Sequence, residues 1–344
     1  MSARRSYDED DVRIRPNPRG SRPRTKDRPR HADAVIAMVV GVDRGRYTTL
    51  VGSGDTERVV LAMKARELAR KGVVVGDRVA LVGETGGGAD ALARIVRIEE
   101  RTSTLRRTAD DTDPVERVIV ANADQLVVVT ALANPEPRPR LIDRCLVAAY
   151  DAGLEPLLVL TKTDLAAPEA FLEAYAALDL TCLVTTSLGD DGAFTGLEAV
   201  RDRLRGRMSV LVGHSGVGKS TLVNALVPEA GRAIGHVNAV TGRGRHTSTS
   251  AVALELAVGG WVVDTPGIRS FGLAHVEPAR IVGHFPDLEP GTDDCPRGCT
   301  HDEVDCGLDA FVHGGYAGPA GPARLDSLRR LLRARTGAES GAID

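Results

Sequence analysis

The chain has 344 residues, 42% of them hydrophobic, which is enough for two or three domains with proper cores. No apolar run reaches the length of a membrane span and no internal repeat is visible, which argues against a membrane protein or a solenoid. The net charge of −3 means that any affinity for nucleic acid must come from local patches.

Residues 1–31 are rich in Arg and Pro (Arg4, Arg5, Arg13, Arg15, Arg19, Arg22, Arg24, Arg28 and Arg30, with Lys26) and nearly devoid of apolar side chains. Such a segment buries too little surface to offset the entropy of ordering, so a disordered basic tail is expected. It has no apolar core of the signal-peptide kind. It is either an arm that meets RNA phosphates or a solubilising extension.

From 32 to 107 the pattern changes to short strands. Runs at 35–40, 47–51, 58–61, 77–82 and 91–98 are spaced by Gly and charged residues. Five short strands in this length predict a small β-barrel of the OB-fold type. The aromatic residues that stack bases in single-strand binders are scarce, Tyr47 being the only one, so RNA contact here would rest on Arg, Lys and backbone shape more than on stacking. A barrel used only for domain packing is the alternative.

Residues 108–275 carry the nucleotide chemistry. The apolar strand Glu155–Leu160 ends in Thr161-Lys162-Thr163-Asp164, an Asn-Lys-x-Asp guanine signature with Thr for Asn. A carboxylate at Asp164 accepts hydrogen bonds from N1–H and the exocyclic amine of guanine, a donor pair that adenine lacks. Lys162 would lay its apolar stem along the base. A second strand, Thr181–Val184, leads to Thr185-Thr186-Ser187, where a backbone N–H meets the guanine O6. The run Met208–Val212 precedes Gly213-His214-Ser215-Gly216-Val217-Gly218-Lys219-Ser220, and Thr221 continues into a helical pattern. Strand, Gly-rich turn and helix form a phosphate-binding loop, with Lys219 for the β/γ-phosphates and Ser220 for Mg²⁺. Residues 242–250 lack apolar periodicity and read as a switch loop, with Thr247 expected to complete the Mg²⁺ shell. Trp261–Asp264 is a strand ending in Asp264-Thr265-Pro266-Gly267. Asp264 would hold Mg²⁺ through water, and the Gly267 N–H would sense the γ-phosphate. Ile268 stands where many GTPases carry a water-orienting Gln, so His246, with Lys219, is the catalytic candidate; Arg245 or an external group is the alternative.

The motif order is base, base, phosphate, switch, Mg²⁺. That is a circularly permuted α/β P-loop GTPase domain. An unrelated ATPase is disfavoured by Asp164.

Residues 276–344 carry Cys295, Cys299, His301 and Cys306, three thiols and an imidazole suited to one tetrahedral, structural Zn²⁺. Pro296, Gly298 and Gly307 permit the turns that converge them. Cys145 and Cys182 sit in apolar runs and read as core. Residues 322–335 form an amphipathic helix with Leu325, Leu328 and Leu332 on one face and arginines on the other. The arginine face is either solvated or turned to RNA. The fold expected overall is the permuted GTPase, an N-terminal OB-like barrel and a C-terminal zinc-binding helical domain.

The series TKTD, TTS, GHSGVGKSTLVN, GRGRHTSTS and DTPG resembles the ribosome-small-subunit-dependent GTPase family (RsgA, also called YjeQ), from about Ala32 to the C-terminal helix. The family's zinc motif has slightly longer gaps than the one here. The resemblance implies a cytoplasmic, monomeric GTP hydrolase without membrane association. It would bind GTP and GDP with Mg²⁺, dock on the small ribosomal subunit and its rRNA late in maturation, and leave on hydrolysis. A GTP-gated RNA-binding scaffold with incidental hydrolysis is the second reading.

Overall fold

A computed structural model describes residues 31–68, 72–88, 92–108, 116–188, 193–228, 251–265, 272–273, 275–303 and 305–336. The expected basic tail lies almost wholly outside them.

The first strands close on themselves. β1 (Val35–Asp43), β2 (Arg46–Val51), β3 (Arg58–Lys64), β4 (Arg78–Val82) and β5 (Ala93–Ile98) pair in the cyclic order β1-β2-β3-β5-β4-β1. Only β3 and β5 run parallel. Alternate residues point inward, and Val39, Val60, Ala62, Val79, Leu81 and Ile95 fill the barrel. Tyr47 belongs to this interior and is 7% exposed. The barrel's one aromatic is therefore not free to stack a base, because on β2 its inward register leaves the phenol among aliphatic neighbours.

An element with no sequence signal joins the barrel to the nucleotide-binding region. β6 (Thr104–Arg107) and β7 (Arg117–Ala121) pair antiparallel, and Leu105 and Val120 are buried in the main core. Where this hairpin meets the barrel, Gly76 has φ +87°, and a Cβ there would lie 2.0 Å from the Ala121 carbonyl oxygen. Asn122 Nδ2 donates to the Gly76 carbonyl at 2.8 Å. The adjacent Asp77 is buried and held by the Arg101 guanidinium at 2.7 and 2.8 Å. Gly76→Ala combines a left-handed backbone with a backbone clash. A loss of about 2–3 kcal/mol in chemical denaturation is expected. A variant as stable as the parent would show that this seam yields freely.

The nucleotide-binding region is a doubly wound sheet. β8 (Gln125–Ala131), β9 (Glu155–Thr161) and β10 (Thr181–Val184) lie side by side in parallel. After the short hairpin β11 (Thr186–Leu188) and β12 (Ala193–Thr195), the chain returns to β13 (Met208–Val212) on the other side of β8. β14 (Val252–Glu255) and β15 (Trp261–Asp264) complete the order β10-β9-β8-β13-β15-β14. Every residue of β8 is buried, as expected for a strand covered on both faces. α1 (Pro139–Ala152) covers one face with Ile142, Cys145, Leu146 and Ala149. Pro at its start and Gly153 in the left-handed region at its end delimit it. α2 (Glu169–Tyr175) lies between β9 and β10 in the chain, and its Tyr175 joins the same core. α3 (Leu197–Leu204) and α4 (Lys219–Leu226) cover the opposite face with Val200, Leu204, Leu222 and Leu226. β1 also pairs with β14 at Gly41↔Val252, so barrel and nucleotide sheet form one eleven-stranded sheet.

The C-terminal segment packs on α1. It holds α5 (Pro278–Val282), α6 (Gly307–His313) and α7 (Gly321–Thr336). Leu325, Leu328, Leu331 and Leu332 are buried. The arginines of α7 do not form an RNA-facing stripe. Arg324 pairs with Asp287, Arg329 with Asp309, Arg330 with Asp143 and Arg333 with Asp302, and Arg335 donates to the Val276 carbonyl at 2.8 Å. Asp287, Asp302 and Asp309 come from the C-terminal segment itself, and Asp143 comes from α1. Asp143 on α1 is so buried that its carboxyl is pushed up to about 6 despite Arg330. Among the described residues no helix is long and apolar enough to cross a membrane.

Candidate nucleotide site and metal centre

The crevice of a doubly wound sheet opens where the strand order reverses, here between the carboxyl ends of β8 and β13. The phosphate loop starts there. A Cβ on Gly213 would lie 2.4 Å from the Val129 carbonyl oxygen, so the loop hugs the end of β8. Gly216 and Gly218 have φ of +83° and +89°. Gly218 caps α4, placing Lys219 and Ser220 in the helix's first turn, where backbone N–H groups and the dipole favour anions. Val217 is buried as the loop's anchor. His214 Nδ1 lies 2.9 Å from the Ser215 carbonyl. Ser215, Ser220 and Thr221 are exposed. The Lys219 ammonium pairs with the Asp264 carboxylate at the end of β15, because β13 and β15 are neighbours with Leu211 opposite Asp264.

The base loops follow β9 and β10 at the same edge of the sheet. Thr161 is buried, and its hydroxyl donates to the Val217 carbonyl at 2.6 Å. The Thr at the Asn position of the guanine-like signature therefore ties the loop after β9 to the loop after β13. Lys162 has φ +57° and donates its ammonium to the Asn134 carbonyl. Asp164 is exposed. Thr163 and Thr186 share a hydroxyl–hydroxyl hydrogen bond across the two loops. The Thr185 N–H donates to the Leu160 carbonyl at 2.8 Å, and Thr185 is fully buried. Ser187, in the middle of β11 opposite Phe194, is exposed. Asn134 and Pro135, which also touch this site, belong to no motif read in the sequence. Their one signal was an Asn-Pro dipeptide after an apolar strand. His246, Thr247 and Gly267 lie outside the described residues.

The sulfur and imidazole ligands converge. One ligand atom from each of Cys295, Cys299, His301 and Cys306 lies within 4.8 Å of the others. Around a tetrahedral ion with bonds of about 2.3 Å, two sulfurs stand about 3.8 Å apart. The Cys295 and Cys306 sulfurs are 3.8 Å apart, and Cys295 Sγ is 3.5 Å from His301 Nδ1. The donor set thus fits a metal ion. His301 reaches its place at φ +65°, following Gly298 at +78°. Glu303 organises the turn by accepting from the Thr300 N–H and hydroxyl, and Arg329 of α7 donates to the His301 carbonyl at 3.0 Å. Neither supporting residue was singled out in the sequence. Burial pushes the Cys299 thiol up to about 12 and Cys306 upward too, a penalty that a divalent cation reverses by holding thiolates. Cys145, by contrast, is core, and Cys182 is half-buried.

A family model described as RsgA GTPase matches residues 98–274. The small ribosomal subunit biogenesis GTPase RsgA of Chlorobaculum parvum is 39% identical over 295 residues, 82% of this chain and 92% of that protein. The protein of the same name from Gemmatimonas aurantiaca is 37% identical, over 75% of this chain and 83% of its own. Among solved structures, YjeQ from Thermotoga maritima aligns with a TM-score of 0.60 at 25% identity, covering 89% of this chain and 99% of that one. YloQ, a circularly permuted GTPase, aligns at 0.61 and 25% identity, covering 92% and 100%.

Proposed function

Since this chain belongs to the RsgA GTPase family, we propose that it hydrolyses GTP in late maturation of the small ribosomal subunit, binding rRNA and leaving on hydrolysis. The observation that carries the GTP chemistry is the bond from Thr161 to Val217. It joins the base-reading loop to the phosphate loop across one crevice.

We assign Asp164 and Lys162 to guanine, with the Thr185–Ser187 backbone at the O6. The Gly213–Thr221 segment holds the phosphates through backbone N–H groups and the Lys219 ammonium. Ser220 and Asp264, with Thr247, supply the hard oxygen donors that suit Mg²⁺, which neutralises phosphate charge when bound. Gly267 contributes its N–H to the γ-phosphate. His246 orients the attacking water, since Ile268 cannot. Cys295, Cys299, His301 and Cys306 hold one structural Zn²⁺. The work divides between a basic tail (1–31), a barrel (32–107), the GTPase domain (108–275) and the zinc domain (276–344). With Tyr47 inside the barrel and the α7 arginines paired internally, rRNA contact falls to the basic tail and to the barrel's exposed basic residues, among them Arg46, Arg78 and Arg94. We take the protein to act as a cytoplasmic monomer.

Asp164→Asn should lose affinity for GTP and gain it for XTP, because an amide donates to the xanthine O2 and accepts from N1–H. A tenfold exchange of preference corresponds to about 1.4 kcal/mol. Full GTP affinity in this variant would remove TKTD as the base reader.

The deciding experiment is GTP turnover with and without purified small and large subunits. Slow intrinsic turnover, accelerated at least tenfold by small subunits alone, is expected, a gain requiring only about 1.4 kcal/mol of positioning. His246→Ala should keep nucleotide and subunit binding but lose most of that acceleration. Turnover that small subunits leave unchanged would favour the scaffold reading.

A further inference from the structure

The guanine loops follow β9 and β10, the phosphate loop follows β13, and β8 lies between them. A nucleotide held at both ends must cross the end of β8. The segment that leaves β8 there is Leu132-Ala133-Asn134-Pro135, ahead of α1.

Two contacts single this segment out. The Lys162 ammonium is held by the Asn134 carbonyl. On the other side, Pro135 backs the phosphate loop, with its Cδ 3.6 Å from where a Gly216 Cβ would stand. A backbone bond from the Leu132 N–H to the Thr161 carbonyl at 3.1 Å closes the seam. Both Asn134 (φ +46°) and Lys162 (φ +57°) are non-glycine residues in the left-handed region, which costs free energy and persists where surrounding contacts over-determine it.

We propose that the Asn134–Pro135 turn is a positioning element of the nucleotide pocket. Its carbonyl steers the Lys162 stem onto the base, and its ring fixes the phosphate loop at Gly216, so that base and phosphate subsites keep one spacing. The carbonyl is aimed by the backbone, and Asn is among the few non-glycine residues that enter the left-handed region readily. Asn134 acts through Lys162 and needs no contact of its own with the nucleotide. This inference rests on the assignment of Lys162 and Asp164 to guanine.

The test uses the full-length chain and fluorescent GDP and GTP titrations. Asn134→Val, a β-branched residue that shuns positive φ, should weaken both nucleotides at least tenfold, and Asn134→Gly should bind like the parent. In Lys162→Ala, adding Asn134→Val should cost little more, because the two act as one unit. Full affinity in Asn134→Val, failure of Asn134→Gly to bind like the parent, or additive losses in the double variant would overturn the proposal. The additivity readout stands even if Asn134→Val also lowers stability, since a merely structural loss adds to Lys162→Ala. Asp164→Asn separates the two assignments. If it leaves GTP affinity intact, the guanine site itself falls. If it loses GTP while Asn134→Val retains it, only the positioning role is lost.

Discussion

Lys219→Ala is expected to abolish measurable GTP hydrolysis, a fall of at least about 10²–10³-fold, the scale for losing one preorganised donor to a charged transition state. Lys219 opens α4 directly after Gly218, so its ammonium stands beside the helix N-terminus assigned above to the phosphates. Ser220→Ala should fail for a separate reason, loss of an oxygen donor for Mg²⁺. Neither change should unfold the chain. The Lys219 side chain gives up a partly exposed pair with Asp264, and such pairs contribute about 0–1 kcal/mol. The informative measurement is therefore turnover and Mg²⁺-dependent nucleotide binding set beside an unshifted melting curve. Lys219→Arg should not rescue, because a planar guanidinium does not reproduce a compact ammonium. Parent-like turnover in both Lys219→Ala and Ser220→Ala would remove the phosphate-loop assignment.

Elemental analysis should give one zinc per chain, and removing it should release the C-terminal segment. Structural zinc contributes folding free energy, about 10–16 kcal/mol in isolated zinc-finger peptides. Here the loop is also held by Arg329 on the His301 carbonyl and by the Arg333–Asp302 pair, so the loss should be local first. Calorimetry of Cys299→Ala, or of protein treated with a strong chelator, should show an early transition for residues after Cys295, ahead of the nucleotide sheet. Protease nicking within 295–306 should rise in parallel. A purified chain that is folded, metal-free and melts in a single unshifted transition would refute the zinc assignment.

Much of the fold was legible because its signals are local. The five barrel strands could be placed to within a few residues from apolar runs broken by Gly and charge, as β1 to β5 show. The buried parallel strands β9 and β13 are nearly continuous apolar runs and were read as strands, whereas β8, a run of the same kind with no motif at its end, was not. The Cys and His spacing in 295–306 already implied that the ligands converge, and they do. The β6–β7 hairpin was not legible, since Thr104–Arg107 is half arginine and Arg117–Ala121 is too short an apolar run to show a period.

Side-chain direction was legible only in part. Alternation along β2 puts Tyr47 on one face or the other, but which face turns inward depends on barrel closure. The α7 leucines announced a buried face, yet the fate of its arginines depended on Asp143, Asp287, Asp302 and Asp309 arriving from three separate segments. Likewise, Thr161 read as a substitution in a base signature. Its bond to Val217 spans 56 residues of chain and exists only because β9 and β13 flank β8.

The amino-acid sequence by itself determined which chemical groups stand together: a carboxylate two residues after Lys162, a Gly-rich loop ending in Lys219 and Ser220, three thiols with an imidazole and, through motif order, a permuted GTPase domain. These follow from residue type and short spacing, which are properties of the chain alone. Tertiary structure decided which side chains remain free to act. It internalised Tyr47, neutralised the α7 arginines and set Asn134 and Pro135 between base and phosphate loops. The physical reason is that exposure, ion pairing and loop-to-loop distance depend on strand order in the sheet, and no local stretch of sequence encodes that order.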